Sequence, residues 1–198
     1  MTTPAPHAFL HPSNLLTYVS LLAALYACFE AAGHRPHVAA ACLGVCVFAD
    51  VFDGKFAALF VRSAQARAFG VQLDSLADAV AFCMTPAVVG LLLTLETGNA
   101  LLPLAAFFYV VCGVTRLGYY NIVSAGTGGF VGVPTTILGL AWVLLLLAPA
   151  TPAMYGAAFV TGGMLMLAPI PIRRPNAAVL ALVVGTDIAA VGLHLARA

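Results

Sequence analysis

The sequence predicts an all-α integral membrane protein, a polytopic bundle of about six to eight transmembrane helices. Composition is the first observation behind this. Of 198 residues, 63% are hydrophobic and only 8% charged, with a mean hydropathy of +1.05, whereas a soluble domain has roughly 45–50% apolar and about 25% charged residues. The second observation is that the apolar residues fall into stretches of helix length separated by Pro, Gly and polar punctuation. The third is that four aspartates, Asp50, Asp53, Asp74 and Asp78, lie inside those stretches. An ionised carboxylate at membrane depth costs several kcal/mol unless it is paired, bound to metal or facing water, so it marks a functional site. The formal net charge of +1 gives no support for nucleic-acid binding, and residues 1–198 leave room for a single transmembrane domain.

The elements follow in order. Met1 to Pro12 has no Lys or Arg and is broken by Pro4, Pro6 and Pro12, which does not resemble a cleavable leader and predicts that the first apolar segment stays as an anchor. That segment covers residues 14–32. A short polar loop with His34 and Arg35 leads to the second, 36–61, whose later part carries Asp50 and Asp53. The third, 72–95, opens with Asp74 and Asp78. The fourth, 100–122, ends with Arg116, Tyr120 and Asn121. Gly132-Val133-Pro134 introduces the fifth, 134–149, and the sixth is 153–169. Both are short for a span of about 20 residues, which predicts tilt, extension or a re-entrant piece. A loop with Pro169, Pro171, Arg173, Arg174 and Pro175 precedes the seventh, 176–196; its basic residues suit the headgroup level. Asp187 and Glu30 read as interfacial or bundle-facing acids, and His34 and His37 as interfacial side chains. The five cysteines are odd in number and scattered through apolar segments, which predicts buried small hydrophobes. Cys42 and Cys46 are one turn apart but lack the further ligands of a metal site. Abundant Ala and Gly permit close helix packing and a homodimer.

Basic residues orient the chain, because cytoplasmic loops hold an excess of Lys and Arg. With the N-terminus inside, Lys55, Arg62, Arg67, Arg116, Arg173 and Arg174 fall at or toward the cytoplasmic side, and Arg35 and Arg197 outside. Both acid pairs then converge on the cytoplasmic face. On a helix, side chains three or four residues apart share a face, so Asp50/Asp53 and Asp74/Asp78 each present two carboxylates together. Two such helices facing each other form a four-carboxylate cage, for which hard divalent cations with oxygen ligands, Mg²⁺, Mn²⁺ or Ca²⁺, are the natural partners. Gly54 removes a side chain beside Asp53, and Ala57 keeps the same face open one turn later.

These residues resemble the motif of the CDP-alcohol phosphatidyltransferase family, D-x2-D-G-x2-A-R-x8/9-G-x3-D-x3-D. Asp50, Asp53, Gly54, Ala57, Gly70, Asp74 and Asp78 match it. Ala58 stands where the motif has Arg, and the stretch from there to Gly70 is about three residues longer than usual. Arg62 and Arg67 are the candidate substitutes. Phe69 to Asp78 resembles the FGxxLDSLAD string of the phosphatidylserine synthase branch, Arg116 to Asn121 its RLxxFN, and Gly132 to Thr136 its GLPxT, while Pro12-Ser-Asn14-Leu-Leu-Thr17 is similar to the PNxLT opening of many members. The resemblance spans roughly residues 12 to 140.

The resemblance implies transfer of a phosphatidyl group from CDP-diacylglycerol to an alcohol, with release of CMP, at a two-metal site on the cytoplasmic face. It makes Asp50, Asp53, Asp74 and Asp78 the metal ligands and Asp78 the general base. Gly54, Ala57 and Gly70 would line the nucleotide and donor pocket, with Asn14, Thr17, Arg62 and Arg67 as further donor contacts. In that branch the acceptor is L-serine, whose carboxylate calls for a bidentate cation; Arg116 is the candidate, with Tyr120 and Asn121 nearby. A residue snorkelling to lipid phosphate is the other reading of Arg116. The Gly132–Thr136 turn is either an anion site at a helix N-terminus or an ordinary Pro-marked helix start. Glycerol 3-phosphate, an inositol phosphate or another amino alcohol are alternative acceptors; a phosphorylated one needs a cluster of cations beside the acids, and this chain offers few. An inactive lipid-binding relative is a further reading because of Ala58. A cation transporter is the remaining class. Against it stand the clustering of the acids at one face and the lack of an inverted repeat.

Overall fold

The computed structural model describes residues 5–124, 129–149 and 151–198. Among these residues seven membrane-length or shorter apolar helical runs carry the chain back and forth: α1 (Leu15–Ala32), α2 (Pro36–Ala57), α3 (Ala64–Leu93), α4 (Leu102–Val123), α5 (Thr135–Leu145), α6 (Pro152–Leu167) and α7 (Ala177–Leu195). Five of them, α1 to α4 and α7, are long and apolar enough to cross a membrane. With α5 and α6 as shorter apolar helices, the protein is an all-α polytopic membrane bundle.

Helix packing follows membrane logic. Lipid is as apolar as leucine, so contacts between helices favour small residues that let backbones approach. The α1–α2 pair is lined by Ala23, Ala24, Ala27, Ala31, Ala39 and Ala40, all buried, while Leu22, Leu25 and Phe29 on α1 are exposed to the surroundings. α2 is the central helix, packed against α1, α5 and α7. The larger core lies between α4, α5 and α6, where Tyr109, Trp142, Tyr155 and Phe159 form a chain of aromatic contacts with centroids 4.9–6.3 Å apart.

α3 changes winding in its middle. Residues Ala79–Met84, directly after Asp78, form a π-helical stretch, a feature often found at functional sites. Its cause is readable downstream, because Pro86 has no N–H to give the carbonyl four residues earlier. That carbonyl, of Phe82, accepts instead from the Tyr109 hydroxyl on α4, at 2.9 Å. A second π stretch, Tyr120–Ser124, ends α4.

α5 has only 11 residues, about 16 Å at 1.5 Å per residue, roughly half the hydrocarbon thickness. The chain ahead of it is not helical and must satisfy its own backbone. Two short strands do so, β1 (Gly129–Val131) and β2 (Pro171–Arg173), paired antiparallel with Phe130 opposite Ile172. Gly132 N–H donates to the Ile170 carbonyl and Val133 N–H to the Leu165 carbonyl, both at 3.0 Å. Gly132 has φ +75°, and a side chain there would collide with the Met166 carbonyl. The α4–α5 and α6–α7 connections are thereby tied to each other.

Alternating helix directions gather the N-terminal segment, the α2–α3 loop, β1 and β2 at the end that holds the aspartates. At the other end, Arg35 is paired with Glu30 at 2.6 Å. Buried His194 there bridges the His37 ring (2.9 Å) and the Val143 carbonyl (2.8 Å). Asp187 faces α2 at Gly44 and is 2% exposed, so it is a bundle-facing acid.

Candidate metal centre and substrate cavity

α2 and α3 bring three of the four aspartates together. Carboxylate oxygens of Asp50, Asp74 and Asp78 lie within 4.8 Å of one another. Asp53 lies outside this trio and faces an adjoining cavity together with Asp74. Residues i and i+3 point about 60° apart around the axis and i and i+4 about 40°, so both pairs keep to one side of their helices. Asp74 and Asp78 stay aligned one turn apart, while Asp53 stands beside Asp74 in the wall of that cavity. Three hard carboxylate donors at this separation fit a divalent cation of the Mg²⁺, Mn²⁺ or Ca²⁺ type, which would also offset their mutual repulsion.

The trio is held by the start of α5. Thr136 Oγ donates to Asp50 Oδ2 at 2.7 Å, and Thr135 Oγ lies 3.5 Å from Asp78 Oδ2. A hydroxyl donating to a carboxylate fixes which oxygen remains free, as supporting bonds around metal ligands commonly do.

The cavity beside the acids has a volume of about 270 Å³. Its wall brings together every residue expected at the donor pocket: Asn14 and Thr17 from α1 and its entry, Gly54 and Ala57 from α2, Arg62 from the following loop, and Arg67 and Gly70 from α3. Gly54 has nothing within 4 Å of the position a Cβ would take, so its bare face opens onto free space. Asn14 is buried and accepts from Ser13 Oγ at 3.2 Å, and Ser13 in turn meets the His11 ring at 2.9 Å. Stacking of Phe9 on Phe69, with centroids 4.8 Å apart, holds this N-terminal segment against α3.

The residues expected to meet an acceptor lie toward α4. Arg116 is 5% exposed, and its Nε has no hydrogen-bond partner among the described residues. Its guanidinium carbon sits 5.7 Å from the centroid of Phe130 on β1. Tyr120 packs on the same ring at 5.3 Å. Asn121 exchanges hydrogen bonds with Ser75 at 2.9–3.2 Å, which anchors the end of α4 next to Asp74. The acids thus stand between a cavity on one side and a buried, incompletely bonded arginine on the other.

Sequence reading missed Ser13 and Val71 in the cavity wall, and the hydroxyls of Ser75, Thr135 and Thr136. The signals were present but undirected. Ser13 adjoins Asn14, and the Thr pair ends the Gly132–Thr136 string, where only backbone N–H groups had been considered. Arg173 ends β2 opposite Gly129, with Arg174 directly after it, and neither lines the cavity wall.

The sequence model of the CDP-alcohol phosphatidyltransferase family matches residues 10–190. The chain belongs to that family. The chain is similar to the CDP-diacylglycerol--serine O-phosphatidyltransferase of Mycobacterium leprae, with 32% identity over 178 residues, covering 82% of this chain and 58% of that protein. The Bacillus subtilis enzyme of the same name is 30% identical over 131 residues, or 66% of this chain and 72% of that one. The Saccharomyces cerevisiae one is 37% identical over 83 residues, 42% and 28% of the two chains. The chain therefore spans somewhat under two thirds of the mycobacterial relative's length.

Proposed function

We propose that this protein transfers the phosphatidyl group of CDP-diacylglycerol to L-serine, releasing CMP and forming phosphatidylserine. The observation that carries the reading is the three-carboxylate cluster adjoining, through Asp74, one cavity lined by Asn14, Thr17, Gly54, Ala57, Arg62, Arg67 and Gly70. The names of the relatives above support serine as the acceptor.

In this reading the cytidine diphosphate enters the cavity over the open face of Gly54 and Ala57, and the acyl chains remain in lipid. Asp50, Asp53, Asp74 and Asp78 would hold Mg²⁺ or Mn²⁺, with Ca²⁺ as a competing occupant. Bound metal would supply charge stabilisation to the diphosphate and to the oxygens whose charge grows during transfer. Arg116 binds the serine carboxylate through its planar donor fork, aided by Tyr120 and Asn121. Asp78 takes the proton of the serine hydroxyl as its oxygen attacks the phosphorus carrying the diacylglycerol. The bond from that phosphorus to the bridging oxygen breaks, and CMP leaves with the electron pair. Six of the eight basic residues lie toward the acid end, which supports an active site on the cytoplasmic face.

The test is CMP release by purified protein in detergent with CDP-diacylglycerol and Mg²⁺ or Mn²⁺, screening L-serine, glycerol 3-phosphate, inositol phosphate and choline separately. Metal-dependent release with serine alone is expected. Release with another alcohol alone refutes serine and keeps the transfer, and no release with any of them refutes the transfer.

A further inference from the structure

We infer that Arg62, on the loop between α2 and α3, is the cation that binds the donor's diphosphate, and that Arg67 positions it. The inference rests on the proposed reading of the cavity as the donor site. A diphosphate entering there meets two carboxylates in the wall, Asp53 and Asp74, and needs a cation close by. Among the described residues of that wall only Arg62 and Arg67 are cationic. Position 58, one residue beyond cavity-lining Ala57, is an alanine at the exposed end of α2. Lys55 is turned onto the Phe52 ring, 5.4 Å from its centroid.

The two arginines are not equivalent. Arg62 is half-buried, and its Nη1 lies 3.3 Å from the point a Cβ on Gly70 would occupy, with Asn14 Oδ1 3.7 Å from the same point. Its guanidinium therefore fills the gap that Gly70 leaves between α3 and the entry to α1. Arg67 is exposed, and its Nη1 donates to the Arg62 carbonyl at 2.8 Å, so one of its donors is committed to the loop backbone.

The loop itself is built to hold this position. Ala58, Leu59 and Phe60 donate to the carbonyls of Gly54, Phe56 and Ala57 at 3.1–3.3 Å. Ser63 caps α3 by accepting from Ala66 N–H at 3.1 Å. Phe60 packs between Phe56 and His11, at 5.3 and 5.9 Å. The longer α2–α3 connection thus carries a guanidinium from the loop to the place that the last turn of α2, ending in alanine, leaves without one. An Arg fork can meet two phosphate oxygens at once, which a lysine ammonium does less well.

The experiment measures equilibrium binding of CDP-diacylglycerol to purified full-length protein in detergent with Mg²⁺ and no acceptor, beside CMP release. Losing charge-assisted hydrogen bonds predicts that Arg62→Ala weakens donor binding about ten- to hundredfold, with Arg62→Lys intermediate. Arg67→Ala is expected to weaken binding less, and to add nothing in the Arg62→Ala background, because it acts through Arg62. Ala58→Arg combined with Arg62→Ala is expected to regain most of the lost affinity, which also shows that the single variant was folded. Wild-type affinity in Arg62→Ala, or losses that simply add in the double variant, overturns the inference. Since binding needs no turnover, a wild type that binds donor yet releases no CMP refutes the transfer reading alone.

Discussion

At the scale of the residue, the proposed roles of metal ligand and general base fall to carboxylates only a few ångströms apart. Asp50, Asp74 and Asp78 share one cluster, but their partners differ. Asp50 has a short bond from Thr136 at 2.7 Å, whereas the hydroxyl nearest Asp78 among the described residues, that of Thr135, stands at 3.5 Å. Asp78→Asn preserves the shape and removes the basicity. The expected result is a fall in kcat of about 10²- to 10⁴-fold with donor affinity changed far less, checked by CMP-release kinetics beside direct binding of CDP-diacylglycerol. A kcat within threefold of wild type would place the base elsewhere. Thr136→Val tests the supporting bond. Loss of a second ring of contacts around metal ligands predicts about a 10- to 100-fold weaker metal dependence, read as the Mg²⁺ or Mn²⁺ concentration giving half-maximal activity. An unchanged metal requirement would make the Thr136 bond incidental.

At the scale of the element, spacing was legible and winding was not. The seven apolar segments correspond to seven helical runs, and the short fifth and sixth segments are short helices, because hydrophobic length is a direct physical requirement of the bilayer. The alignment of Asp74 with Asp78 was equally readable from a four-residue interval. That Asp53 stands outside the trio was not readable from the three-residue interval, which also shares a face; the cavity it lines with α1 is visible only in three dimensions. The π stretch after Asp78 escaped the sequence reading. It arises from Pro86 together with a hydroxyl on another helix, and the second partner is visible only in three dimensions. Tyr109→Phe isolates that partnership. It leaves the buried Phe82 carbonyl without a donor, which predicts a loss of about 1–3 kcal/mol of stability, seen as a lower melting temperature in detergent. Activity should fall as well if the π turn sets the direction of Asp78. A variant with wild-type melting would mean that the carbonyl finds another donor.

At the scale of the whole molecule, the bundle draws three carboxylates into one cluster, and a cation bound there would tie its stability to a ligand. Few basic side chains face the acids. Arg116 is the buried one, and it stands toward α4 rather than within the three-carboxylate cluster. Without a cation the carboxylates repel one another in a medium that screens them poorly, and the strain bears on the contact between α2 and α3. A divalent ion that binds only the folded protein stabilises it by RT ln(1 + [L]/Kd), about 2.7 kcal/mol at one hundred times Kd. Chelation should therefore lower the melting temperature of the wild type, and added Mg²⁺ or Mn²⁺ should restore it. The decisive comparison is with Asp78→Asn, where one negative charge is gone. Repulsion is smaller there and so is metal affinity, which predicts a higher melting temperature than wild type in chelator and a smaller gain on adding metal. The two curves should cross as metal concentration rises. A metal that stabilised wild type and variant equally would be acting somewhere other than this cluster, and the carboxylates would then need another source of compensation, for which Arg116 is the candidate.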